Sequence, residues 1–195
     1  MTSGSGGSGA AQVRDGAAEE VRWLVLVYKI PAEPSRLRAG VWRRIKTLGA
    51  VYLQNAVAAM PYSAGAERAL RVLRNEITEM GGTAFLLGSE VLSGSADAAD
   101  AFNAARDAEY EEIVDKCQDF RREIEKEERA AHFTFAELEE NDEDLTKLRT
   151  WLAKVEARDV LGASGRAEAK EAVQGCEQIL ERYAARVYAE EEGAH

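Results

Sequence analysis

The chain has 195 residues, 46% of them hydrophobic and 31% charged, enough for one domain or two small ones with a real core. Its formal charge is −10 and it holds only two cysteines, Cys117 and Cys176, with no CxxC spacing. The longest apolar runs are far too short to cross a membrane, and the composition points to a reduced, cytoplasmic, disulfide-free protein. The start, MTSGSGGSGAAQ, lacks the basic and apolar parts of a secretory signal and reads as a flexible Gly/Ser arm over residues 1–20.

Charge is uneven along the rest. Residues 21–92 net +5 and residues 93–195 net −13. Two units with different electrostatic roles are expected, a first module over 21–93 and a second over 94–195. An acidic second unit repels nucleic acid, so contact with DNA has to come through the first.

RWLVLVYKI (22–30) is apolar on both alternating faces and predicts a buried central strand, ended by Pro31 and Pro34. Ser35 is placed to cap a helix over 36–48 with Leu37, Val41, Ile45 and Leu48 on one stripe, and Gly49 closes it. VYL (51–53) and AVAAMP (56–61) read as short strands joined at Gln54-Asn55. A second helix carries Ala66, Leu70, Leu73, Ile77 and Met80, Gly81-Gly82 stops it, and 83–92 is the last strand. The order β-α-β-β-α-β is the ferredoxin-like arrangement, so the fold class is α+β with an all-helical module behind it. Both helices then lie on one sheet face, and a partner subunit or the rest of the chain has to cover the other.

GSADAAD (94–100) marks the boundary. Beyond it a long helix over about 98–131 has a seam at Phe102, Ile113, Cys117, Phe120 and Ile124. A second helix carries Leu145, Leu148, Leu152 and Val155, and a third Val173, Cys176, Leu180, Tyr183 and Val187. Such seams predict helices packed as hairpins or a small bundle. FAELEENDEDL (135–145) reads as a cap and acidic surface leading into the helix of Trp151.

The candidate binding residues lie in the first module. Arg36, Arg38, Arg43, Arg44 and Lys46 fall within eleven residues without an acid. Arg36, Arg43 and Lys46 point away from the apolar stripe, Arg38 and Arg44 flank it, and Trp42 is taken as a fold residue. Arg68 and Arg71 add to the outer side of the second helix. Side by side, the two helices would make one positive face suited to a phosphate backbone. The same residues also read as a solvated face paired with Glu of the acidic half, or as a grip for a small oxyanion.

Other constellations carry less. Both cysteines sit on apolar seams in acidic or apolar surroundings, as core residues do. Glu109, Glu111, Glu112, Glu123, Glu125, Glu127 and Glu128, followed by His132, lack the Glu-x-x-His pair of a carboxylate metal site. His132 and His195 stand alone. No phosphate-binding glycine motif and no nucleophile–base set is present, so neither a cofactor, a metal nor an enzymatic activity is expected.

One block is more specific than a basic run: P-x-x-P-S-x-x-R-x-x-x-W-R-R-x-K-x-L-G-A-x-x-L-Q, met by Pro31, Pro34, Ser35, Arg38, Trp42, Arg43, Arg44, Lys46, Leu48, Gly49, Ala50, Leu53 and Gln54. With FNAARDAEYEEIVDKCQDFRREIEKEE and HFTFAELEENDEDLTKLRTWLAKVEARDVLG, it resembles the N-terminal region of the ChrB family of bacterial chromate-resistance regulatory proteins, over about Val21 to Tyr188. The core is also similar to the nuclease-like domain of CRISPR adaptation proteins and of PaaX-type repressors, where it serves dimerisation. The resemblance implies a homodimeric, chromate-responsive transcriptional regulator that binds a promoter or operator through Arg38, Arg43, Arg44 and Lys46, with Arg36 nearby. Full-length family members carry a further C-terminal domain associated with the chromate response, absent from this chain, which leaves chromate sensing unassigned here. Lys29 and Ile30 stand where the CRISPR nucleases place an acid after the first strand, so nuclease activity is not expected. The alternatives are an oxyanion-binding resistance protein without DNA contact, and a non-catalytic dimerisation module.

Overall fold

A computed structural model describes residues 21–193, and the Gly/Ser arm lies outside the described residues. The order is β1 (Trp23–Lys29), α1 (Ser35–Leu48), β2 (Val51–Gln54), β3 (Val57–Pro61), α2 (Ala64–Glu79), β4 (Thr83–Ser89), α3 (Ser95–Ala130), α4 (Phe135–Glu156) and α5 (Arg166–Gly193). The four strands form one antiparallel sheet in the order β2-β3-β1-β4, the ferredoxin-like topology. β1 is central because it is the most apolar strand, paired with β3 and β4 from Trp23 onwards.

Alternation along the strands separates two cores. Leu24 and Leu26 of β1, Ala58 of β3 and Ala84 of β4 face α1 and α2, where they meet Val41, Ile45, Leu70, Leu73 and Ile77. Trp23, Val51 and Ala59 point the other way and pack on Phe102 of α3, whose ring meets Trp23 edge-on at 6.1 Å. The second face is therefore covered by the chain itself, but only in part. Phe85 and Leu87 of β4, 65% and 49% exposed, lie beyond the reach of α3.

α3, α4 and α5 pack around a separate core of Tyr110, Ile113, Cys117, Phe120, Ile124, Leu145, Leu148, Leu152, Val173, Cys176, Leu180, Tyr183 and Val187. The expected seams are buried there except for Phe102, which packs on the sheet with Trp23 instead. No helix among the described residues is long and apolar enough to cross a membrane.

Local details differ from expectation in four places. Ser35 caps nothing: it is the first helical residue of α1, behind an extended Pro34 (φ −79°, ψ 143°). The hairpin turn falls on Asn55-Ala56, one residue later than expected, with Ala56 in the left-handed region and a register shift between Tyr52 and Gln54. The last strand stops at Ser89, and α3 begins at Ser95, within the expected boundary segment. FAELEENDEDL is not a lead-in but the first half of α4, capped by Thr134 Oγ1 accepting from the Glu137 amide at 3.3 Å.

Candidate nucleic-acid interface

α1 presents its charges on three sides of one cylinder. Val41 and Ile45 are buried against the sheet, so Arg36, Arg43 and Lys46 lie on the opposite, solvent side. Arg44 sits on the flank facing α2 and pairs with Glu76, Nη2 to Oε1 at 3.1 Å. Arg38 and Trp42 sit on the other flank, towards the β2–β3 hairpin.

Arg68 also faces solvent, on the outer side of α2. Arg71 does not join the others, because it is held by Glu67 one turn earlier, Nε at 2.8 Å and Nη2 at 2.6 Å. The Arg71 bond holds the Glu67 carboxyl below the usual carboxylate range. Its neighbour Arg74 turns to the sheet edge and donates to Ala84 O at 3.2 Å. Among the described residues, Arg36, Arg38, Arg43, Lys46 and Arg68 make no ion pair, whereas Arg44 and Arg71 do. Of the seven expected contact residues, two are tied to acids and five have no acidic partner among the described residues.

Trp42 is not a core residue. It is 49% exposed, and Lys46 Nζ stands 5.1 Å from its ring centroid. Trp42 and Arg38, with Tyr28, Ile30, Tyr52, Asn55 and Ala56, line a cavity of about 360 Å³ beside the hairpin. The Tyr28 and Tyr52 hydroxyls meet there at 2.8 Å. Burial, and then the Tyr28 bond, push the Tyr52 hydroxyl's pKa well up, so it stays a protonated donor at any physiological pH.

What fixes α1 in place was not legible in the sequence. Gly49, in the left-handed conformation (φ 82°), ends the helix, and its amide bonds back to Lys46 O at 2.9 Å. Two guanidiniums from the helical half meet this carbonyl-rich end. Arg106 of α3 donates to Gly49 O at 2.8 Å, and Arg158, just after α4, donates to Thr47 O at 3.1 Å. Glu109 lies between them, 3.1 Å from Arg158 Nη2. It also lies 3.0 Å from Arg106 Nε, an ion pair although that N–H is not aimed at the oxygen. Behind it, buried Asp159 accepts from the Gly162 and Ala163 amides and from Tyr110 Oη. Glu109 thus serves an ion-pair network. Among the described residues no three His, Cys, Asp or Glu side chains are grouped as metal ligands would be.

The family model described as "Protein ChrB, N-terminal" matches residues 38–194. A curated relative, Protein ChrB of Cupriavidus metallidurans, is 29% identical over 104 residues. That alignment covers 53% of this chain and 29% of the relative, so the chain matches less than a third of the relative's length.

Proposed function

The chain belongs to the ChrB N-terminal family, and from that membership we propose that it is a chromate-resistance regulator that binds DNA through the outer faces of α1 and α2. The observation that carries this reading is the set of five exposed cations, Arg36, Arg38, Arg43, Lys46 and Arg68, without an acidic partner among the described residues. In a chain of net charge −10, with acids paired to bases along α3 and α4, unpaired cations on adjoining helices are what a phosphate backbone selects. Arg adds bidentate geometry, and Trp42 offers a half-exposed ring at the border of the face.

The test is fluorescence anisotropy with the duplex upstream of the protein's own gene, across a range of salt. Each phosphate contact contributes about −0.9 to the slope of log affinity against log salt. Steep weakening with salt, abolished by Arg36→Glu with Arg43→Glu, is the expected result. No binding at low salt, or binding indifferent to that pair, removes the reading.

Homodimerisation belongs to the same proposal. The sheet face is opposite α1 and α2, so two copies joined through Phe85 and Leu87 would keep both basic faces outward.

A second reading is favoured by the cavity between Arg38, Trp42 and the two tyrosines: a site for chromate or a similar oxyanion without DNA contact. A guanidinium, a protonated phenol and the Asn55 amide are the donors that a tetrahedral dianion needs. Calorimetric titration with chromate and with sulfate decides it. Heat lost in Arg38→Gln supports the site, and no heat with either anion removes it.

A further inference from the structure

The seam of α4 is apolar at every step but one. Leu138, Leu145, Leu148, Leu152 and Val155 turn into the helical core, and Asn141 stands among them, only 5% exposed. Its Nδ2 donates to Glu137 O one turn earlier, at 2.7 Å. Its Oδ1 accepts no hydrogen bond among the described residues. That oxygen is not sealed from solvent, because Asn141 borders a cavity of about 570 Å³ between α3 and α4. A buried carboxamide with a spare acceptor calls for a donor in that cavity.

The rest of the lining says what kind of donor. Glu137, Glu140 and Asp144 continue the same face of α4, and Asp119 and Glu123 of α3 border the cavity from the other side. Against these carboxylates the lining sets two ammonium groups, Lys116 and Lys147. Lys116 is bonded to Asp119 at 2.9 Å and Lys147 to Asp144 at 2.7 Å, while Lys126 serves Glu123 at 2.7 Å. Glu137 and Glu140 make no ion pair among the described residues, so the cavity keeps an excess of negative charge. Its remaining walls are apolar: Phe120, Leu148 and the partly buried Trp151. A single metal ion does not match this arrangement, since no three carboxylates among the described residues converge as metal ligands would. The acceptors are strung out instead. Glu137, then Glu140 and Asn141, then Asp144 follow one another along α4 in steps of about 4.5–6 Å. Three or four methylenes put two amines that far apart.

We propose that the cavity between α3 and α4 is a binding site for a linear aliphatic polyamine. One ammonium is received by Glu137 and Glu140, and the next by Asn141 Oδ1 and Asp144. The methylenes between them lie against Phe120 and Leu148, and Trp151 supplies an aromatic ring that attracts a cation. Lys147 does not block the site, because exposed ion pairs hold weakly and an incoming ammonium can take Asp144 from it. The site uses neither α1 nor the sheet, so it stands or falls independently of DNA binding.

The experiment is calorimetric titration of the full chain with spermidine, without DNA and at fixed ionic strength. A single class of site is expected, with putrescine, which has one amine fewer, about tenfold weaker. Glu137→Gln with Glu140→Gln should weaken spermidine about tenfold or more, because charge-assisted hydrogen bonds become neutral ones. Glu168→Gln with Glu171→Gln removes the same charge from α5, which does not border the cavity, and should leave affinity within about twofold. Asn141→Leu should weaken binding about threefold or more, through loss of the buried acceptor. If that variant does not fold, the comparison of the two glutamate pairs decides. No binding of spermidine, equal losses in the two glutamate pairs, or a folded Asn141→Leu chain that binds as the parent does would overturn the proposal. Tighter binding of tetralysine than of spermidine would overturn it in favour of a basic peptide.

Discussion

Arg106 on α3 donates its Nη1 hydrogen to Gly49 O across 2.8 Å and 57 positions of sequence, binding the end of the basic helix to the helical half of the molecule. The same guanidinium sets the limit on residue 49. A Cβ there would stand 2.7 Å from Arg106 Nη1 and 2.8 Å from Arg158 Cδ, in a backbone conformation with φ of 82°. Gly49→Ala is expected to destabilise by about 2 kcal/mol or more, the left-handed strain alone being roughly 1–2. Arg106→Met should cost about 3 kcal/mol, because it strands a helix-end carbonyl and half of Glu109's partners. Urea denaturation of both variants checks this. A loss under about 1 kcal/mol in each would show that the junction is not a fixed one.

The hydrogen bond between His132 Nδ1 and Glu127 Oε2, 2.8 Å long, predicts how stability responds to acid. This bond, with help from Lys126, holds the Glu127 carboxyl below the usual carboxylate range. A carboxyl with a depressed folded pKa contributes stability that is fully present above its unfolded value, about 4.3, and is lost as pH falls through the folded value. Asp119, held down by Lys116 and then Arg122, acts in the same direction. The urea midpoint should therefore fall between pH 5 and pH 3. Glu127→Gln should lower it at pH 5 and flatten that fall. An unchanged slope in the variant would remove Glu127 from the acid response.

The uncovered part of the sheet gives a third prediction. Phe85 and Leu87 lie opposite Val27 and Val25 on the face that α3 leaves bare. If two copies meet there, Phe85→Ser with Leu87→Ser should shift the protein from dimer to monomer in sedimentation velocity without a change in helix content. A parent that sediments as a monomer at high concentration would exclude this interface.

The contrast between stripe and junction explains how far the residues could be read in advance. Val41 and Ile45, or Cys117, Phe120 and Ile124, announce a buried face because helical spacing is local. Charges follow no such rule. Nothing near Arg44 in sequence says that Glu76 will meet it, and nothing near Arg158 points to Thr47. Trp42 was misjudged for a related reason. Its position flanks the apolar stripe, and only the hairpin beside it decides that the ring stays half in water.

Pairing also grades the basic face residue by residue, and this yields the sharpest test of DNA binding. Arg43 has no acidic partner among the described residues, so its whole electrostatic contribution is available to a phosphate. Arg43→Gln should lower affinity uniformly across sequences and reduce the salt slope by about 1. Arg44 must first leave Glu76. An exposed pair of this kind is worth only about 0–1 kcal/mol, so Arg44 remains recruitable but its loss should cost less than that of Arg43. Releasing it should help instead: Glu76→Gln frees the guanidinium and removes a negative charge beside the face, and affinity should rise. Arg71, bonded to Glu67 through two nitrogens and turned away from α1, should be silent. Anisotropy at several salt concentrations on these four variants gives the order. An Arg71→Gln loss equal to that of Arg43→Gln would mean that the duplex lies across α2 rather than along α1, and equal indifference of all four would place any DNA contact elsewhere on the chain.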